Sequence, residues 1–136
     1  MKTAKLLSAL VLLFGLMTAC SEQKVQNTEV VSVENDGTVE VFYFHNARRC
    51  ATCEAVEAET KTALQEMYSS EVKLFVYNLE DTEGANKAEQ LDVSGQTLLV
   101  VSGSTKTDLT NEAFMYARTN PEKLKQSLKE AIDQLL

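Results

Sequence analysis

The 136-residue chain has no tryptophan, one histidine, one proline and three cysteines. With a single histidine, any metal site that uses imidazole has only His45 to draw on. Positive charge is also short, with 13 Lys and Arg against 20 Asp and Glu and a formal net charge of −7. An acidic surface argues against nucleic acid as a partner and against docking on anionic lipid heads. The acidic run Glu80-Asp81-Thr82-Glu83 lacks the spacing of a calcium loop and reads as a solvated face. No internal repeat, low-complexity block or second folded domain is visible. The apolar run from Leu6 to Met17 is too short to span a bilayer comfortably.

That run has a different reading. Residues 1–19 carry Lys2 and Lys5, then the apolar stretch, then small residues, which is the layout of an export signal. The ending Leu16-Met17-Thr18-Ala19-Cys20 resembles the lipobox of bacterial lipoproteins. The resemblance implies cleavage before Cys20 and lipidation of its thiol, a stable anchor when two or more acyl chains are attached. Removing the leader, with two lysines and no acid, takes the formal charge from −7 to −9. Residues 20–37 then hold the lipidated Cys20, a polar tether and a possible first strand over Thr28 to Glu34. Residues 38–136 form one modest domain, long enough for a single core. The implied location is the bacterial cell envelope, facing the periplasm or exterior, where thiols meet oxidant and a disulfide can persist.

Along the domain, Val39 to His45 (VEVFYFH) is β-branched, aromatic and almost continuously apolar, as a strand covered on both faces should be. From Cys53, the apolar or small positions Cys53, Val56, Thr60, Leu64 and Met67 recur at helical spacing and predict a helix ending near Tyr68. Val72 to Leu79 reads as a second buried strand, so strand, helix and strand make a right-handed βαβ unit with parallel strands. Asp81 to Leu91 is expected to form a short helix. Thr97 to Val101 reads as a strand, and Ser102-Gly103-Ser104 turns it into an antiparallel partner around Thr105 to Leu109. Asn111 to Arg118 is ambiguous, with Glu112 and Ala113 favouring helix. Asn120-Pro121 is a helix start, with Asn as cap and Pro in the first turn. Leu124, Leu128, Ile132 and Leu135 then form the apolar stripe of a closing helix.

The stretch RRCATCEAVE places Cys50 and Cys53 three residues apart between the central strand and its helix. This order of elements, with CxxC at that junction, resembles the thioredoxin fold over roughly Val39 to Leu136. The resemblance implies a three-layer α/β/α sandwich with a mixed sheet, in which Cys50 is the exposed attacking thiol and Cys53 the resolving one. Residue chemistry agrees, because Cys53 lies on the apolar helix stripe and Cys50 precedes it. A helix amino terminus lowers a thiol pKa, and Arg48 and Arg49 are expected to add positive charge. The string YFHNARRCATCEAVE also resembles a narrower group of small thioredoxin-like proteins from anaerobes, but fifteen residues carry over no substrate.

The chain departs from the family pattern at named positions. Arg49 replaces the tryptophan usual before the first cysteine, and Ala51-Thr52 replaces Gly-Pro. The buried carboxylate usual on the strand below the site falls at Phe44, while Glu54 and Glu57 are expected to face solvent. Gln96, followed by Thr97, takes the slot of the family's cis-proline. A cis bond to Gln costs about 3 to 4 kcal/mol, so trans is expected. Three functions fit these residues. A membrane-tethered thiol–disulfide oxidoreductase would exchange with protein thiols or disulfides, through a dedicated partner and without a separate cofactor. A metal-binding or delivery module would use Cys50 and Cys53 with or without His45. A noncatalytic adaptor would keep the disulfide as a staple, although so short a loop gains little entropy from closure.

Overall fold

The computed structural model describes residues 37–69 and 71–136. The leader, Cys20, the tether and the strand expected over Thr28 to Glu34 lie outside the described residues. The elements run β1 (Val39–His45), α1 (Ala51–Tyr68), β2 (Lys73–Asn78), α2 (Thr82–Gln90), β3 (Thr97–Ser102), β4 (Thr105–Asp108), α3 (Thr110–Tyr116) and α4 (Pro121–Asp133). The described sheet has the order β2-β1-β3-β4. β1 and β2 are parallel, in the register Glu40 with Lys73 through His45 with Asn78. β1 pairs antiparallel with β3, and β3 with β4.

Strand periodicity of two sends alternate side chains to opposite faces, which builds two cores. Val39, Val41 and Tyr43 of β1 join Leu98 and Val100 of β3 on one face, under Val56 and Leu64 of α1, Ala113 of α3, and Leu124, Leu128 and Ile132 of α4. Phe42, Phe44, Leu99 and Val101 face the other way and pack with Ala88 of α2. On that side the Phe42 ring stacks on Phe75 at 5.3 Å and Phe44 stacks on Tyr77 at 5.6 Å. Helices on both faces of a mixed sheet make the three layers expected from the sequence. Each fully buried Leu or Ile contributes about 1.5 to 3 kcal/mol relative to exposure, so the α4 stripe is a major source of the closing helix's stability.

Local chemistry explains where the helices start. Asn120 accepts from the Lys123 N–H at 3.3 Å and Pro121 stands in the first turn, so α4 begins where its sequence says it should. The segment Asn111 to Arg118 is helical, as Glu112 and Ala113 suggest, with α3 spanning Thr110–Tyr116. α2 sits so close to β2 that a Cβ on Gly84 would stand 1.9 Å from the Asn78 carbonyl oxygen. The hairpin between β3 and β4 turns through Gly103 at φ +57°, a left-handed conformation natural to glycine.

One expectation needs correction. Val72 to Leu79 was expected to form a buried strand, but β2 is the edge of the described sheet, with Lys73 exposed and Val76 38% exposed. Its unbroken apolar character is used instead in partial packing on both faces, Leu74 on one side and Phe75 and Tyr77 on the other. β1 is buried along nearly its whole length, as a central strand should be, and its neighbour β3 is buried at all but its two ends.

Candidate functional site

The sheet delivers the site to one end of β1. The loop from Asn46 to Arg49 leaves His45 and is tied from the side: the Ala47 N–H donates to Glu80 Oε1 at 2.9 Å, and the Leu79 N–H donates to the His45 carbonyl at 2.8 Å. Glu80 is exposed, as its acidic run predicted, yet it also fixes this loop. Helix α1 begins at Ala51, two residues earlier than its apolar stripe suggested, because Cys50 serves as the cap. With extended backbone at φ −99° and ψ 164°, the Cys50 Sγ accepts from the Cys53 N–H at 3.3 Å. Ala51 is exposed and Thr52 half-buried in the first turn.

The two cysteines are free and differ in environment. Cys50 is exposed, while Cys53 is 3% exposed. Their sulfurs lie 2.6 Å apart and share a hydrogen bond. That bond, followed by the Cys53 backbone N–H, lowers the Cys50 pKa from the ordinary thiol value. Burial, followed by the bond to Cys50, raises that of Cys53. The arrangement favours negative charge on the exposed sulfur, and the thiolate is the form in which a cysteine can act as a nucleophile.

The arginines behave differently from each other. Arg48 is exposed. Arg49 folds back, pairs with Glu57 at 2.5 Å, and places its Nη2 3.4 Å from the Cys53 carbonyl oxygen. Burial is the largest single influence and disfavours its charge, but the hydrogen bond to Glu57 together with the nearby charges of Glu57, Tyr43 and Glu54 raises its pKa. Glu57 is therefore a half-buried ion-pair partner rather than a solvated acid. Neither arginine is among the main causes that lower the Cys50 pKa, which are hydrogen bonds of α1's first turn. The expected contribution of arginine charge is thus replaced by local hydrogen bonding.

Beneath the pair lies Tyr43, one of the aromatic residues of β1. Its ring is fully buried and its hydroxyl donates to the Cys53 carbonyl at 3.0 Å. Burial, then the nearby Cys53 sulfur, raises its pKa. Phe44, expected in the carboxylate slot, points into the opposite core with Ala88. Strand alternation gives the reason, since the neighbour that faces α1 is Tyr43. Spacing back from Cys50 alone misses this by one residue, and the β1 alternation read against the α1 stripe is the signal that identifies it.

Across the site, Gln96 Oε1 accepts from the Cys53 thiol at 3.2 Å. No peptide bond among the described residues is cis, so Gln96 is joined in trans as expected. Thr97 starts β3 opposite Phe44, and its hydroxyl donates to the Gly95 carbonyl at 3.0 Å. The His45 ring bonds the Asn46 carbonyl through Nδ1 at 2.8 Å. Among the described residues no group of three His, Cys, Asp or Glu side chains is placed to hold a metal, so the set Cys50, Cys53 and His45 is not brought together.

No family model matches the chain, and no curated protein does. Among solved structures, thioredoxin O2 from Arabidopsis thaliana in the oxidised state superposes with a TM-score of 0.51 at 23% identity, over 71% of this chain and 77% of that one. The chain has a thioredoxin-like fold. Two further structures, Trxlp from Edwardsiella tarda EIB202 and thioredoxin f2 from Chlamydomonas reinhardtii, give TM-scores of 0.49 and 0.48 at 18% and 21% identity. They cover 71% and 69% of this chain, and 86% and 79% of their own. Within the thioredoxin-like frame, the CxxC pair stands at the β1 to α1 junction.

Proposed function

We propose that the chain is a thiol–disulfide oxidoreductase of the cell envelope, tethered through lipidated Cys20. The supporting observation is the asymmetry of the cysteine pair: an exposed sulfur that caps α1 beside a buried sulfur on the same turn. The Cys50 thiolate attacks one sulfur of a partner disulfide, forming a mixed disulfide and expelling the other partner sulfur as thiolate. Cys53 loses its proton and attacks the Cys50 sulfur, forming the Cys50–Cys53 disulfide and expelling the second partner thiolate. The partner gains two electrons, the protein loses two, and the released thiolates take up protons. The pair is its own electron carrier, so no separate cofactor is required. With Gln96 where the family has a proline, the partner is a dedicated protein thiol or disulfide matched to that surface.

The test is equilibration of the chain with a glutathione series. A reversible couple between about −120 and −270 mV, the range of working oxidoreductases, is expected, together with loss of exchange in Cys50→Ser. A potential below about −300 mV would assign the disulfide to a structural role. Incorporation of labelled fatty acid, abolished by Cys20→Ala, tests the anchor.

A further inference from the structure

The Cys53 thiol has one proton and two acceptors in reach, the Cys50 sulfur at 2.6 Å and Gln96 Oε1 at 3.2 Å. While Cys50 is a thiolate, it is the stronger acceptor because it is charged. Once Cys50 joins a mixed disulfide its sulfur is neutral and that advantage is gone. The Gln96 amide oxygen, whose acceptor strength does not depend on the redox step, then holds the proton.

The other polar groups around Cys53 offer no base. From β1, the Tyr43 hydroxyl is committed as a donor to the Cys53 carbonyl. From the preceding loop, Arg49 is a cation, and from α1 its partner is the Glu57 carboxylate. His45 is engaged with the Asn46 carbonyl. The hydrogen bonds of the Cys53 sulfur go to Cys50 and Gln96 alone among the described residues. An amide oxygen can accept a hydrogen bond, but it does not take the proton away.

Resting on the oxidoreductase reading, we propose that Gln96 is a positioning residue that retains the Cys53 proton, so that mixed disulfides on Cys50 are long-lived and their resolution limits turnover. In the slow step the Cys53 proton leaves to water or hydroxide. The Cys53 thiolate attacks Cys50 Sγ, the new Cys50–Cys53 bond forms, and the bond to the partner breaks with the electron pair leaving on the partner's sulfur. The burial that raises the Cys53 pKa acts in the same direction. The residue in the proline slot thereby makes a site that dwells on its partner.

The experiment mixes the reduced full chain with one equivalent of dithiobis-nitrobenzoate and follows release of coloured thionitrobenzoate. Attack by Cys50 releases the first equivalent and resolution by Cys53 the second. The expected result is two separated phases, the second slower and rising about tenfold per pH unit through neutrality as the Cys53 thiolate fraction grows, after the first has levelled off. Gln96→Leu removes the acceptor while keeping water out, and should speed the second phase by about twofold to threefold, the loss of a hydrogen bond partly offset by a weaker nucleophile. No first phase overturns the oxidoreductase reading. A first phase followed by an equally fast second one overturns the inference alone, as does a second-phase rate unchanged in Gln96→Leu. The pH profile of the unaltered chain needs no variant, so a folding defect in that substitution leaves the inference open to refutation.

Discussion

The Tyr43 hydroxyl and the Cys53 carbonyl lie 3.0 Å apart, joining the central strand directly to the first turn of the helix that carries the buried cysteine. Arg49 reaches the same carbonyl from the loop, at 3.4 Å. Tyr43→Phe keeps the ring and removes only the hydroxyl. Arg49 still bonds the carbonyl, so the cost should be about 1 kcal/mol of unfolding free energy, the usual worth of a buried hydrogen bond. Urea denaturation of the reduced protein measures it, and an unchanged midpoint would mean that Arg49 alone secures this turn.

The pH dependence of Cys50 reactivity follows from its hydrogen bonds. Its folded pKa is lowered, so the thiolate is present, and alkylation by iodoacetamide is fast, from below the ordinary thiol value of about 8.5 upward. Reactivity falls as pH drops through the lowered value. Cys53→Ser keeps a hydroxyl donor beside Cys50 but exchanges the sulfur, and should shift the profile more than Glu57→Gln or Arg48→Gln does. A profile displaced upward chiefly by Arg48→Gln would restore arginine charge as the main influence.

The ion pair between Arg49 and Glu57 is half-exposed, with 26% and 32% of the side chains accessible. Glu57→Gln should therefore cost only about 1 kcal/mol, in the range of partly screened pairs. The effect should appear as a lower thermal midpoint at low salt that narrows as salt is added. A cost that ignores ionic strength would show that Glu57 acts through packing.

At Gly84 a single methyl group is decisive. Its Cβ would stand 1.9 Å from the Asn78 carbonyl oxygen, against backbone that has little freedom to yield. Gly84→Ala should cost about 1 to 3 kcal/mol, the range for overpacking, despite alanine's better helix propensity. For a domain of this size that lowers the melting temperature by roughly 4 to 8 °C per kcal/mol. A rise in melting temperature would show that α2 can lift off the sheet at no cost.

Much of this arrangement was legible because several local signals agreed. β1 is apolar on both faces and became the buried centre, while Asn120-Pro121 began α4 where capping chemistry placed it. The CxxC pair separated into exposed and buried sulfurs because the helix stripe included Cys53 and excluded Cys50. β2 misled, since an apolar strand at a sheet edge has the same composition as one in the middle, and strand order is set by tertiary pairing. Arg49 and Glu57 misled for a related reason, because their pairing depends on the loop folding back over α1. The slot beneath the site was expected at Phe44 and is filled by Tyr43, and in a strand one residue means the opposite face.

Besides the Cys53 N–H bonded to the Cys50 sulfur, the backbone of the site is held by bonds that use neither sulfur atom. Tyr43 and Arg49 grip the Cys53 carbonyl, and Glu80 grips the Ala47 amide, through atoms that take no part in thiol chemistry. Oxidation of the pair leaves the donors and acceptors of these three bonds chemically unaltered. The atoms that do change are the Cys50 sulfur, which loses its charge, and the Cys53 thiol, which no longer has a proton to offer Gln96. The chemical difference between the two states is confined to one small spot at the amino end of α1.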